Sequence, residues 1–279
     1  METVRLFTRG QEIPVKFSTF PAGEEYVKLL DLNYFNMNIF FTVIITAADS
    51  KTIMKAIMLA DAIKQVNPNA MVSLKADYLP YGRQDRVCDS GESFSLKVFE
   101  ELVRTRFDKI LSYDVHSEVS ERIIDVPNTL PLNEMFYSIR GKYCIHLRDL
   151  VSADIDYPVD VVVAPDQGSL RRANEVSKFL GINKVENLLK HRKKDRIVIE
   201  KYTRTDFKDY KTALIYDDIC DGGGTFIEAA KVIKESNPDI KLYLAVSHAI
   251  FSKGVDVLLE WYDNIFTPHD NFNAKWIEK

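Results

Sequence analysis

Apolar residues along this chain fall into short, nearly unbroken runs, separated by longer stretches in which they recur every three or four positions. The unbroken runs are 39–46, 70–76, 109–113, 159–164, 212–216 and 241–247. Their length and their content of Val, Ile, Leu and Tyr predict β-strands. The periodic stretches are 52–66, 93–105, 169–180 and 225–235, and that period predicts α-helices. Strands apolar on both faces that alternate with helices predict an α/β fold, its mainly parallel sheet flanked by helices. In such sheets ligands bind at the carboxyl ends of strands, so the loops leaving those ends are the places to look for chemistry.

Two of these strand–helix–strand units align without gaps at an offset of 170 residues, one starting at Val43 and the other at Ala213. Ile45 aligns with Ile215, Ala60 with Ala230, Lys64 with Lys234, and Asn67-Pro68 with Asn237-Pro238. Any two such units share some pattern, and Asn-Pro is a common helix stop. An ungapped match that runs through the stop signal nevertheless favours two similar domains over a single large one. The boundary is expected near residue 140, giving domains 1–140 and 141–279.

Composition narrows this picture. The 279 residues suit two domains at roughly 150 each. With 37 basic and 41 acidic residues the net charge is -4, which argues against nucleic acid as the main partner. Cys88, Cys144 and Cys220 are far apart and odd in number, so they read as reduced thiols of a cytoplasmic protein rather than a disulfide framework or zinc site. The longest apolar stretch, near 37–48, contains Asn38 and Thr42 and falls short of a membrane span. The N-terminus is too polar for a secretory signal. No membrane partner is expected.

The strongest chemical signal follows the run at 212–216: Asp217, Asp218, Ile219, Cys220, Asp221, Gly222, Gly223, Gly224 and Thr225, read as a loop that opens a helix. Consecutive glycines let backbone N–H groups approach an anion, and the helix dipole favours phosphate there. The acids cannot bind phosphate directly but accept from sugar hydroxyls. Together they describe a ribose phosphate, the plain alternative being a glycine turn with an acidic cap. The segment resembles the D-D-x-x-D-T-G-G-T loop of the type I phosphoribosyltransferase fold.

Other motifs, in order along the chain, extend the likeness to the ribose-phosphate pyrophosphokinase family. Phe20-Pro21-Ala22-Gly23-Glu24 resembles F-x-D-G-E, and Tyr81-Gly82-Arg83-Gln84-Asp85-Arg86 resembles Y-A-R-Q-D-R. Asp114-Val115-His116 resembles D-L-H, and Ala164 to Arg172 resembles S-P-D-x-G-x-x-K-R. Lys190-His191-Arg192 resembles the K-x-R of the catalytic loop, and Ser247 to Ser252 resembles T-H-G-x-F-S. The resemblance implies two tandem type I phosphoribosyltransferase-like domains, an N-terminal ATP side and a C-terminal side with the sugar-phosphate and catalytic loops. It implies transfer of the β,γ-diphosphoryl group of Mg-ATP to the anomeric hydroxyl of ribose 5-phosphate, releasing AMP.

Site roles follow from the same resemblance. Lys190 and Arg192 would be catalytic, in a basic segment (KHRKKDR) expected to be mobile and to close like a lid; the plain alternative is a solvated basic loop. Phe20, Glu24, Arg83, Gln84, Asp85 and His116 would bind ATP. Asp166, Gln167, Gly168, Ser169, Arg171 and Arg172 would form the diphosphate loop, with Mg²⁺ held by His116 and Asp166. Asp217, Asp218, Asp221, Gly222, Gly223, Gly224 and Thr225 would hold the sugar phosphate. His248 reads equally as a packed strand-end residue, and no general base stands out.

Several positions depart from the family pattern. Ala22 replaces an acid near adenine, and the segments 87–92 and 117–122 lack the family's residues for its phosphate and ADP regulatory site, so that control is expected to be absent or changed. Gly222 stands where the family has Thr, which removes a hydroxyl and opens space beside the loop. A larger acceptor such as ADP-ribose therefore stands beside ribose 5-phosphate. A catalytically silent regulatory homologue is a third reading, opposed by retention of Lys190, Arg192, His116, Asp166 and the acid pair. The chain is short for this family, so a homodimer is the safer expectation than its hexamer.

Overall fold

The computed structural model describes residues 3–126, 129–138, 147, 158–193, 196–201 and 206–268. The chain forms two compact units, Met1–Thr129 and Leu130–Lys279. In the first, β1 (Val4–Thr8), β2 (Gln11–Ile13), β3 (Val15–Thr19) and β4 (Glu25–Leu29) precede α1 (Asn33–Met37). There follow β5 (Phe40–Ile45), α2 (Ser50–Val66), β6 (Met71–Ala76), α3 (Ser95–Arg104), β7 (Lys109–Leu111) and α4 (Glu118–Ile124). The sheet order is β2-β1-β5-β6-β7, parallel from β5 to β7, while β3 and β4 form a separate hairpin. Alternate residues of β5 and β6, Phe41, Val43, Ile45, Val72 and Leu74, are buried in one core with Ile53, Leu59 and Ile63 of α2.

The second unit contains β8 (Met135–Ser138), β9 (Val161–Ala164), α5 (Leu170–Leu180), β10 (Val185–Lys193) and β11 (Arg196–Lys201). It continues with β12 (Thr212–Cys220), α6 (Gly224–Ser236), β13 (Lys241–Ala249), α7 (Asp256–Leu259) and β14 (Asn264–Pro268). Seven strands run in the order β11-β10-β9-β12-β13-β14-β8, parallel from β10 to β14 and antiparallel at both edges. Val161, Val163, Ala213 and Ile215 face Phe226, Ala229 and Ile233 of α6. Val162, Ala164, Leu214 and Tyr216 face Ala173 and Val176 of α5. Both sheet faces are therefore buried, as the unbroken apolar runs require. This unit starts before residue 141 because β8 pairs with β14, which draws 135–138 into the second sheet.

The 170-residue repeat reappears as hydrogen bonds. Asn67 and Asn237 end α2 and α6 with nearly the same backbone, φ/ψ of -131/94° and -142/95°. Asn67 Nδ2 donates to the carbonyls of Phe35 and Asn38 at 2.9 and 3.1 Å. Asn237 Nδ2 donates to those of Phe207 and Tyr210 at 3.2 and 2.8 Å. Each side-chain oxygen then accepts from the N–H two residues on. In each unit an aspartate before the next strand also accepts from the preceding strand, Asp108 from Val72 N at 2.7 Å and Asp263 from Leu242 N at 3.0 Å. Val72 and Leu242 are 170 apart but Asp108 and Asp263 only 155, so unit 1 carries 15 extra residues there. The R-Q-D-R segment lies in that insertion.

Two expectations are corrected. The acids 217 and 218 lie within β12 rather than in a loop after it, because β13 is long enough to pair with them: Asp217 stands opposite Val246 and Ile219 opposite His248. Lys190 and Arg192 lie in β10 rather than in a loop, Lys190 opposite Ile199 and Arg192 opposite Ile197 of β11.

Candidate active site

In unit 2 the chain leaves β12 through Asp221 and Gly222 and reaches Gly223 with φ of +77°, a conformation cheap for glycine alone. A Cβ there would also lie 3.0 Å from Leu258 Cδ2. α6 then begins with no side-chain cap, so the N–H groups of Gly224, Thr225 and their successor lack an acceptor within the helix. The matching junction in unit 1 is closed. Asp49 Oδ1 accepts from Thr52 N at 3.0 Å and Oδ2 from the Thr52 hydroxyl at 2.7 Å. A carboxylate of the chain thus fills the anion position at the start of α2, whereas the start of α6 suits an external anion.

The acids beside this loop crowd one another. Burial first, then the Asp218 and Asp166 carboxylates, push Asp217 well above the usual carboxylate range, with Arg172 pulling the other way. Arg172 Nη2 lies 3.6 Å from Asp218 Oδ2, both side chains being 6% exposed. Asp166 caps the turn Gln167–Ser169 reciprocally: Ser169 N donates to Asp166 Oδ1 at 3.1 Å, and Asp166 N to Ser169 Oγ at 3.3 Å. Asn187 Nδ2 steadies Gln167 by donating to its Oε1 at 2.8 Å. A Cβ on Gly168 would come within 3.3 Å of Asp166 Oδ1. Arg171 is exposed and lies 2.6 Å from Glu175 Oε1.

In unit 1 the R-Q-D-R segment follows the carboxyl end of β6. Gly82 N donates to Leu79 O at 3.1 Å, Gln84 N to Tyr81 O at 2.8 Å, and Leu96 N to Gln84 O at 3.2 Å. Arg83 and Gln84 are exposed, and Asp85 is buried. Burial would raise the Asp85 carboxyl, but hydrogen bonds from Ser117 and Arg86, with the charges of Arg86 and His116, hold it below its ordinary value. His116, after the carboxyl end of β7, thus shares the neighbourhood of Asp85. Phe20 and Glu24 lie on the β3–β4 turn, where Gly23 N donates to Phe20 O and Phe20 N to Glu24 O, both at 2.8 Å. That hairpin is anchored to α2 through the buried Glu25 carboxylate, 3.1 Å from Lys51 Nζ and 3.5 Å from Lys55 Nζ.

Residues 140–276 match the phosphoribosyl transferase domain. Ribose-phosphate pyrophosphokinase of Pyrococcus furiosus is 26% identical over 245 residues, 86% of this chain and 79% of that protein. The protein of the same name from Pyrococcus abyssi is 28% identical over 254 residues, 88% of this chain and 79% of its own. Over most of its length the chain is similar to the ribose-phosphate pyrophosphokinases. Among solved structures, that of phosphoribosylpyrophosphate synthetase from Mycobacterium smegmatis superposes with a TM-score of 0.67 at 22% identity, covering 90% of this chain and 78% of that one. At that identity the likeness speaks to the fold, an α/β architecture with a type I phosphoribosyltransferase domain.

For a ribose-phosphate pyrophosphokinase relative, Mg²⁺ is the ion to test against these residues. The charges of Asp166 and Asp218 lie close enough to disfavour ionisation of Asp217, and carboxylate oxygen is the donor type that Mg²⁺ takes. Among the described residues no three His, Cys, Asp or Glu form a ready-made metal cage, and an ion carried largely by substrate phosphates and water needs none. Two further expectations meet the structure here. The side chains of Lys190 and Arg192 lie outside its described part. The space beside Gly222 is not open: the Lys253 stem runs 3.4 Å from where a Cβ would stand. Lys253, Ser117 and Asn187 were missed by sequence reasoning. Lys253 directly follows the Ser247–Ser252 motif, and a check of its flanks would have found it. Among the described residues no helix is long and apolar enough to cross a membrane.

Proposed function

We propose that the protein transfers the β,γ-diphosphoryl group of Mg-ATP to the anomeric hydroxyl of ribose 5-phosphate, giving phosphoribosyl pyrophosphate and AMP. The observation that carries this reading is the start of α6, uncapped and glycine-lined, directly after two acids held in β12 and beside the Asp166 turn. Phosphate belongs at such a helix start, and crowded carboxylates accept from vicinal hydroxyls.

In this reading Gly222, Gly223, Gly224 and Thr225 seat the 5-phosphate, while Asp217, Asp218 and Asp221 take sugar hydroxyls. The turn from Asp166 to Arg172 faces the diphosphate. Arg83, Gln84, Asp85, Phe20, Glu24 and His116 serve ATP, Asp85 being held in place by Ser117 and Arg86. Mg²⁺ held at Asp166 would neutralise phosphoryl oxygens as charge spreads over them. Lys190 and Arg192 add fixed positive charge for the same purpose. The anomeric oxygen forms a bond to the β-phosphorus, and the bond from that phosphorus to the α,β-bridging oxygen breaks, leaving AMP.

Lys253 fills the space beside Gly222 that would favour an acceptor with an esterified 5-phosphate, such as ADP-ribose, so that sugar serves as the comparison. The test supplies Mg-ATP with each sugar separately and measures AMP release and product mass. Diphosphorylated ribose 5-phosphate is the expected product. Product from ADP-ribose alone would replace the acceptor, and no product from either would overturn the enzymatic reading.

A further inference from the structure

Lys253 lies where the family motif would place a threonine side chain. A Cβ on Gly222 would stand 3.4 Å from Lys253 Cδ and Cε and 3.6 Å from its Cγ, so the aliphatic stem runs along the bare face of the glycine. The root of that lysine is tied to the loop by backbone bonds. Ile250 N and Phe251 N donate to Cys220 O at 2.9 and 3.0 Å, and Ser252 N donates to Asp221 O at 3.1 Å. The turn closes with Gly254 N on Phe251 O at 2.8 Å. Phe251 takes φ of +45°, a conformation that costs a bulky residue on the order of 1 kcal/mol or more. The strain is tolerated because Phe251 is buried beneath the loop. Lys253 itself is exposed.

We propose that Lys253 is a specificity-determining residue for the phosphate on ribose C5. Its ammonium is one bond beyond a Cε that would stand 3.4 Å from a Cβ on Gly222, within reach of a phosphate seated in the glycine loop. It supplies a charged donor where the family motif has a hydroxyl. The inference rests on reading the loop as the phosphate seat. A lysine that merely covered apolar surface would use its stem and not its charge, which separates the two explanations by experiment.

The test titrates the full-length protein and its Lys253→Met and Lys253→Arg variants calorimetrically with ribose 5-phosphate and, separately, ADP-ribose. Methionine keeps a stem of similar length and removes the charge. Affinity for the phosphorylated sugar should fall about tenfold in Lys253→Met, as loss of one charge-assisted contact implies, and should largely return in Lys253→Arg. Weakening for ribose 5-phosphate assigns the lysine to a monoester; weakening for ADP-ribose alone assigns it to an esterified phosphate. Wild-type affinity of Lys253→Met for both sugars would overturn the inference while leaving the loop reading intact. Failure of the unaltered protein to bind either sugar would remove the loop reading, and this inference with it.

Discussion

Asp217 is buried beside two other carboxylates, Asp218 and Asp166. Because the fold raises its pKa, it favours the protonated form. The stability this contributes is full below the ordinary carboxylate value of about 4 and is lost as pH rises through the folded value. Above that folded value the ionised carboxyl destabilises unit 2. Asp217→Asn should raise the melting temperature by a few degrees, at about 2–4 °C per kcal/mol, while ending acceptor binding; paired melting and ribose 5-phosphate titrations check both, and a lower melting temperature would show that Arg172 outweighs the acids. For the basic pair, Lys190→Ala with Arg192→Ala should bind ATP yet lose turnover by roughly a hundredfold or more, measured as AMP release. The run of acids and glycines was legible as a candidate site because phosphate and polyol binding call for those residue types. The Lys253 contact with Gly222 was not, since it joins residues separated by α6 and β13 and depends on the turn at 250–254.

The predicted helices over 52–66, 93–105, 169–180 and 225–235 all form, as α2, α3, α5 and α6. Their periodicity is a local consequence of one buried face. Strand ends were less legible. Asp217 and Asp218 are poor strand formers, yet pairing with β13 carries β12 through them. The short strands β1–β4 and the charged strands β10 and β11 lack the unbroken apolar signal of buried strands, so pattern alone passed over them. Local caps still decide much of the stability. Asp49→Ala should cost about 1 kcal/mol, read by denaturant melts. Burial would raise the Asp49 carboxyl, but its Thr52 hydrogen bonds depress it. Its contribution is present above the ordinary carboxylate value and fades as pH falls through the folded one, so the variant and parent should converge in acid. Asn237→Ala removes two bonds to Phe207 and Tyr210 carbonyls and should cost about 1–3 kcal/mol.

The two units share the asparagine and aspartate ties at matching places, but they differ where chemistry is proposed. Unit 1 closes the start of its α2 with Asp49, and its extra residues carry the R-Q-D-R segment. Unit 2 leaves the start of α6 to glycines. The departures at 87–92 and 117–122 also bear on control of the proposed activity. Ser117 caps α4 and binds Asp85, tying that segment to the proposed ATP side. Inhibition by ADP should therefore disappear at saturating ATP, and phosphate should activate weakly; initial-rate measurements showing inhibition that survives saturation would contradict this. By itself the sequence determined the α/β class, the repeat, the buried strands and the identity of the loop residues, because each is a matter of local pattern or side-chain chemistry. Tertiary structure decided which strands form at the edges and how far β12 runs. It also decided which carboxylates crowd Asp217 and which side chain covers Gly222, because those depend on groups brought together from distant parts of the chain.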